Sequence, residues 1–225
     1  TRLIIINSPS NPTGTIISSK ELEKLLEGLL NFPKVYILSD EIYSKIIFND
    51  KVSSFIEHSD NLNNIIVLNG LSKSHSMTGW RIGWGIFPNN LINDAVKYAT
   101  NIYSCVNNFS QFAAIAALNG SQEFVNKARI SFKKRTTSLV KGINKINGFK
   151  CVSPKGSFYC YPNVKGTGMS SKDLQNLLLE ELGIASIDGN NFGIKNDSFL
   201  RLSCCTSQQE IDKAISILEN YFNKK

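Results

Sequence analysis

Short apolar runs alternate along this chain with longer stretches whose apolar residues recur every three or four positions. Leu3 to Asn7 reads as a buried strand, closed by a Pro/Gly/Asn turn from Ser8 to Gly14. Ser18-Ser19-Lys20-Glu21 has the form of a capping box, in which Ser18 satisfies a free N–H and Glu21 reaches back. The helix that follows carries Leu22, Leu25, Leu26, Leu29 and Leu30 on one face, and Pro33 stops it. Val35 to Leu38, Ile65 to Leu68 and Ile82 to Phe87 read as three more strands, the last ended by Pro88. Runs this continuously apolar suit strands covered on both faces, and their alternation with helices predicts an α/β fold.

From Asn89 to about Ile146 the pattern is helical. Phe112 to Leu118 is rich in small residues and suggests close helix packing, with Gly120 ending that helix. Ser121 to about Ile146 then reads as one long amphipathic helix. The tail changes character. Gly156 to Tyr161 is strand-like and aromatic, and Ser170-Ser171-Lys172-Asp173 opens a helix through Leu182. Phe199 to Ser203 is a strand, and Ser207-Gln208-Gln209-Glu210 opens the last helix, with Ile211, Ala214, Ile215 and Leu218 inward. Two domains are expected: residues 1–105, and residues 106–225 with linking helices and a small α+β unit.

Composition narrows the class. The 225 residues are 42% hydrophobic and 19% charged, which excludes disorder as the main state. No apolar run approaches the about 20 residues that cross a bilayer, so no membrane partner is expected. The net charge of +7 is spread out, and its densest cluster, Lys133-Lys134-Arg135, reads as an exposed helix face; no nucleic-acid partner is expected. Five cysteines without a Cys-x-x-Cys pair argue against a metal site and for a reducing, cytoplasmic compartment. Cys204-Cys205 reads as small buried filler at a strand end. The chain starts inside a strand-like run without Met, as the back part of a longer protein would.

In open α/β sheets ligands bind beyond the carboxyl ends of the strands. Asn11-Pro12-Thr13-Gly14 follows the first apolar run, Asp40 and Tyr43 the second, and Ser72-Lys73-Ser74-His75 the third; Arg81 precedes the fourth. Each alone has an ordinary reading: a turn, a helix cap, a solvated lysine. Arg81 between Trp80 and Ile82 is less ordinary, because an arginine in an apolar setting needs an anionic partner.

The set is stronger than its members. Asn11 to Gly14, Ser39-Asp40-Glu41-Ile42-Tyr43 and Ser72 to Gly83 closely resemble the class I/II aminotransferases, pyridoxal-phosphate enzymes of the aspartate aminotransferase fold type. Ser153 to Tyr159 and Phe199 to Ser203 resemble that family's small-domain motifs. The resemblance implies a three-layer, mostly parallel sheet forming part of a large cofactor domain over residues 1–105, with a small α+β domain after it. It also implies a homodimer when full length.

Roles follow from the resemblance. Lys73 matches the lysine that forms a Schiff base with the cofactor aldehyde; an amine must be unprotonated to attack, which calls for burial and nearby positive charge. Arg81 matches the phosphate-holding residue, and Ser72 adds a phosphate contact. Asp40 matches the carboxylate paired with the pyridine nitrogen, which keeps the ring an electron sink. Tyr43 and Asn11 match the groups on the phenolic oxygen. Arg201, with Asn11, matches the grip on the substrate α-carboxylate. The implied activity moves an amino group from an L-amino acid of aspartate/aromatic type to a 2-oxo acid.

Two departures qualify this. Gly70 stands where many members carry a phosphate-binding serine. The family's leading part, with the phosphate cup and the aromatic side chain over the cofactor ring, has no counterpart here, so the 225 residues alone are expected to be inactive. Two alternatives share the same residues: a pyridoxal-phosphate β-lyase or related elimination enzyme, and a ligand-sensing aminotransferase-like domain of a regulator.

Overall fold

Three of the apolar runs form consecutive parallel strands. The computed structural model describes residues 1–48, 52–59, 62–193 and 196–223. Strands β1 (Leu3–Asn7), β2 (Tyr36–Asp40), β3 (Ile65–Gly70) and β4 (Gly83–Ile86) make one sheet in the order β1-β2-β3-β4. The first two pairings are parallel and β3–β4 is antiparallel, so the sheet is mixed but mostly parallel. Asn7 pairs with Asp40, Asp40 with Leu68, and Gly70 with Gly83. The carboxyl ends of β1, β2 and β3 therefore share one edge.

Helix α1 (Ser19–Leu29) connects β1 to β2, and its capping box is formed: Ser18 Oγ accepts from Glu21 N, and Ser18 N donates to Glu21 Oε2 at 2.9 Å. Leu22 is fully buried against Ile37, Phe55, Ile65 and Val67, with Leu25, Leu26 and Leu29 packed around them. Leu30 departs from expectation. The helix closes at Leu29, well before Pro33, and Leu30 is 81% exposed as its C-cap.

The long helical stretch is three helices: α2 (Asn89–Tyr103), α3 (Asn108–Asn119) and α4 (Glu123–Ile143). Ser104, at φ 62°, breaks the first junction, and Gly120 caps α3 before the second. Ala114 of the small-residue run packs against Leu71 and Met77.

The remaining elements are β5 (Tyr159–Cys160), α5 (Ser171–Glu180), β6 (Ile187–Asp188), β7 (Leu200–Ser203) and α6 (Gln208–Phe222). The strands form an antiparallel sheet in the order β5-β7-β6. Its core includes Val140, Ile143, Cys160, Leu174, Leu178, Leu200 and Leu218. Ser170 and Ser207 cap α5 and α6 as the sequence implies.

Chain compactness defines two units. One holds Thr1–Pro9 and Ile16–Arg129; the other holds Ser10–Thr15 and Ile130–Lys225. The expected boundary near residue 105 falls just after α2, whereas this division falls within α4 and gives the turn Ser10–Thr15 to the second unit. That assignment has a visible cause. Gly14 O accepts from Lys155 N at 2.9 Å and Gly156 N at 3.1 Å. Gly14 has φ +66°, and an added Cβ would meet Gly156 O at 2.8 Å, so this approach of two backbones requires glycine.

Two surface expectations are corrected. Arg135 does not share the exposure of Lys133 and Lys134: it donates to Cys204 O at 3.0 Å and Thr206 O at 2.7 Å. Of the adjacent thiols only Cys204 is buried, and Cys205 is exposed.

Candidate active site

In the first unit, five of the six residues expected at the cofactor lie at one sheet edge. Asp40 is the last residue of β2. Its Oδ1 accepts from Ile42 N at 3.2 Å, which turns the chain away from the strand, and Tyr43 is buried just beyond. The connection from β3 to β4 carries the rest. Ser72 and Lys73 follow the end of β3 and are half-buried; Arg81 stands two residues before β4. Arg81 adopts φ 54° and donates from Nη1 to Thr78 O at 2.8 Å. A left-handed non-glycine residue is uncommon, and here it turns the chain into β4. Ser74 Oγ and His75 Nδ1 are 2.8 Å apart.

Gly70 has a physical reason in this chain. Opposite it in the sheet is Gly83, and a Cβ added at Gly70 would lie 3.0 Å from Gly83 Cα and 3.1 Å from Ile82 O. The tight pairing of β3 with β4 leaves little room for a side chain.

The charged groups of this edge are not neutralised by one another. Among the described residues, Lys73 has no hydrogen-bond acceptor, Arg81 gives only the bond to Thr78, and the Asp40 carboxylate receives only the Ile42 N–H. An amine, a guanidinium and a carboxylate left open at one strand edge, beside the Ser72 hydroxyl, fit a group with an aldehyde, a phosphate and a basic ring nitrogen. Pyridoxal phosphate has all three.

In the second unit Arg201 lies on the central strand β7, opposite Ile187 of β6. Its Nη1 donates to Asn11 Oδ1 at 2.9 Å. Tyr159, on β5, pairs with Ser203, two residues along from Arg201, so both side chains project from one face. The Arg201 guanidinium carbon lies 4.5 Å from the Tyr159 ring centre. It lies 4.9 Å from that of Phe192, in the short 3-10 helix Gly189–Phe192. Among the described residues no carboxylate pairs with Arg201.

A family model, "Aminotransferase class I and II", matches residues 1–218. The chain belongs to that family. The aspartate aminotransferase of Bacillus subtilis (strain 168) is 38% identical over 231 residues, covering 100% of this chain and 58% of that protein. The crystal structure of an aromatic aminotransferase from Pyrococcus horikoshii OT3 superposes with a TM-score of 0.94 at 32% identity, over 100% of this chain and 60% of that one. An aspartate aminotransferase from Rhizobium meliloti gives 0.93 at 32% identity, over 99% and 58%. This aminotransferase-family chain thus spans less than two thirds of the relatives it matches. The neighbours bear out the expected fold class.

Sequence reasoning did not single out Tyr159 and Phe192 as companions of Arg201. Tyr159 lies within the aromatic run that was legible as a strand. Phe192 sits in a Gly- and Asn-rich stretch with no period to mark it.

Proposed function

We propose that the protein containing this chain is a pyridoxal-phosphate-dependent aminotransferase acting on an L-amino acid of aspartate/aromatic type and a 2-oxo acid. The observation that carries the reading is the open charge set at the edge of the parallel strands, Asp40, Lys73 and Arg81, in a chain of this family.

The residues divide the work. Arg81 and Ser72 bind the phosphate. Asp40 holds a proton on the ring nitrogen, and Tyr43 with Asn11 binds the phenolic oxygen. When bound, the cofactor supplies an electrophilic carbonyl carbon and an electron-withdrawing ring. Lys73 Nζ would anchor the cofactor and, once released, would take the proton from the substrate Cα as general base and deliver it to the cofactor C4′ carbon as general acid. Arg201 receives the substrate α-carboxylate, where a planar fork matches two oxygens.

The full-length protein is proposed to be a homodimer in the cytoplasm. The outward apolar side chains Ile102, Phe109, Phe112 and Ile115 on α2 and α3 support an association surface, and five cysteines outside any disulfide suit a reducing compartment. The 225 residues by themselves are proposed to be inactive, because the relatives are much longer.

The test is covalent trapping. The full-length protein is mixed with pyridoxal phosphate, reduced with borohydride and mapped by mass spectrometry. A single adduct on Lys73, lost in Asp40→Ala or Arg81→Ala, supports the reading. Scattered labelling of surface lysines refutes it.

A further inference from the structure

The surroundings of Arg201 carry more than a hydrogen bond. Two aromatic rings turn their faces to the guanidinium, at 4.5 Å for Tyr159 and 4.9 Å for Phe192. A cation over a ring face is attracted by the ring quadrupole. A guanidinium has five N–H donors in its plane, and Asn11 takes one of them. The cation lies over both rings, and among the described residues its other donors have no acceptor.

Phe192 is itself held. Tyr161 meets it edge-on at 6.2 Å, and Tyr161 stacks on Phe199 at 5.0 Å with the planes 8° apart. The 3-10 helix that carries Phe192 is capped by the buried Asp188, whose Oδ1 accepts from Asn190 N at 3.0 Å and from Ser171 Oγ. Asn191 Nδ2 donates to Asp188 O at 3.1 Å. The ring is therefore anchored to the core of the second unit.

We propose that Phe192, with Tyr159, is a positioning residue: it fixes the plane of the Arg201 guanidinium so that its open edge meets a planar carboxylate. This rests on the reading of Arg201 as the carboxylate receptor. An arginine without that support would sample many rotamers, and ordering it would oppose binding. The effect falls on affinity for the carboxylate and spares the cofactor.

The experiment uses full-length, cofactor-loaded protein and maleate, a planar dicarboxylate that cannot react. Phe192→Leu keeps an apolar side chain and removes the ring; Phe192→Tyr keeps the ring. A cation–π contribution predicts maleate binding about 3- to 30-fold weaker in Phe192→Leu and within about twofold of the parent in Phe192→Tyr. KM for the amino acid should rise in parallel, with kcat changed less and the cofactor absorbance unaltered. Equal loss in both variants, or binding within twofold in Phe192→Leu, overturns the proposal. Should Phe192→Leu fail to fold, Phe192→Met, an adaptable non-aromatic side chain, replaces it in the comparison. Arg201→Ala separates the two claims. If it leaves maleate binding intact, the receptor reading fails; if it abolishes binding while Phe192→Leu does not weaken it, only the positioning role fails.

Discussion

Arg201 Nη1 and Asn11 Oδ1 are joined at 2.9 Å across a separation of 190 residues. The bond links the central strand of the second unit's sheet to the turn that precedes α1. It uses one in-plane donor of the guanidinium and fixes the direction of the others. Asn11→Ala removes the acceptor and frees the arginine to rotate. Hydrogen bonds to charged groups contribute about 1.5–3 kcal/mol. The expected outcome in the full-length enzyme is a rise of roughly tenfold or more in KM for both amino acid and 2-oxo acid. Steady-state kinetics with an unchanged KM would contradict this.

Gly189 gives a prediction about stability. A Cβ there would lie 2.6 Å from Phe199 O and closer still to Asn196 O, both of them backbone atoms. Gly189→Ala must push the 3-10 helix away from the backbone at Asn196 and Phe199. Overpacking of this kind costs about 1–3 kcal/mol. A lower urea midpoint is expected, together with weaker maleate binding, because Phe192 moves with the helix. A midpoint equal to that of the parent protein would show that the backbone accommodates the methyl group.

Asp188 makes the same region sensitive to acid. Burial pushes its carboxyl up, but hydrogen bonds from Ser171 Oγ and from Asn190, with help from Lys172, outweigh burial and hold it below the usual carboxylate range. A group whose folded-state pKa is depressed stabilises the fold above its unfolded pKa and loses that contribution as pH falls through the folded value. The second unit should therefore be unaffected by Asp188 between neutral pH and about pH 5, and should lose stability progressively below about pH 4. Asp188→Asn should lower neutral-pH stability and flatten that acid limb. Denaturant melts at pH 7 and pH 3 check it. Parallel losses in parent and variant between the two pH values would rule the linkage out.

Local chemistry was the legible part of this protein. Ser18, Ser170 and Ser207 announce their helices because a cap depends on residues three apart. The strands β1 to β3 announce themselves as continuous apolar runs, but the burial expected of β1 is not met: Leu3 and Ile5 on one of its faces are exposed. Asp40, Lys73 and Arg81 stand out only as a set, in the order of the strands that carry them. Arg135 reads as solvated from its lysine neighbours, yet it reaches carbonyls about seventy residues away. Leu30 fits the helical period and still lies outside, because the helix ends one residue earlier. Phe192 owes its place to a capped turn and a neighbouring strand, neither of which leaves a period in the sequence. Where a position is decided by partners far along the chain, the local pattern carries no mark of it.

The turn Ser10–Thr15 has a consequence for biosynthesis. It leaves the ribosome well before its partners at Lys155, Gly156 and Arg201 are made. At about 5–20 residues per second, the 190 residues between Asn11 and Arg201 take roughly 10–40 s to translate. During that interval the first strands can pair with one another while the turn between them waits. The second unit therefore closes only after Arg201 is made, although one of its pieces is made 190 residues earlier. Until Arg201 emerges, the turn lacks its partner and the nascent chain stays exposed to chaperones and proteases.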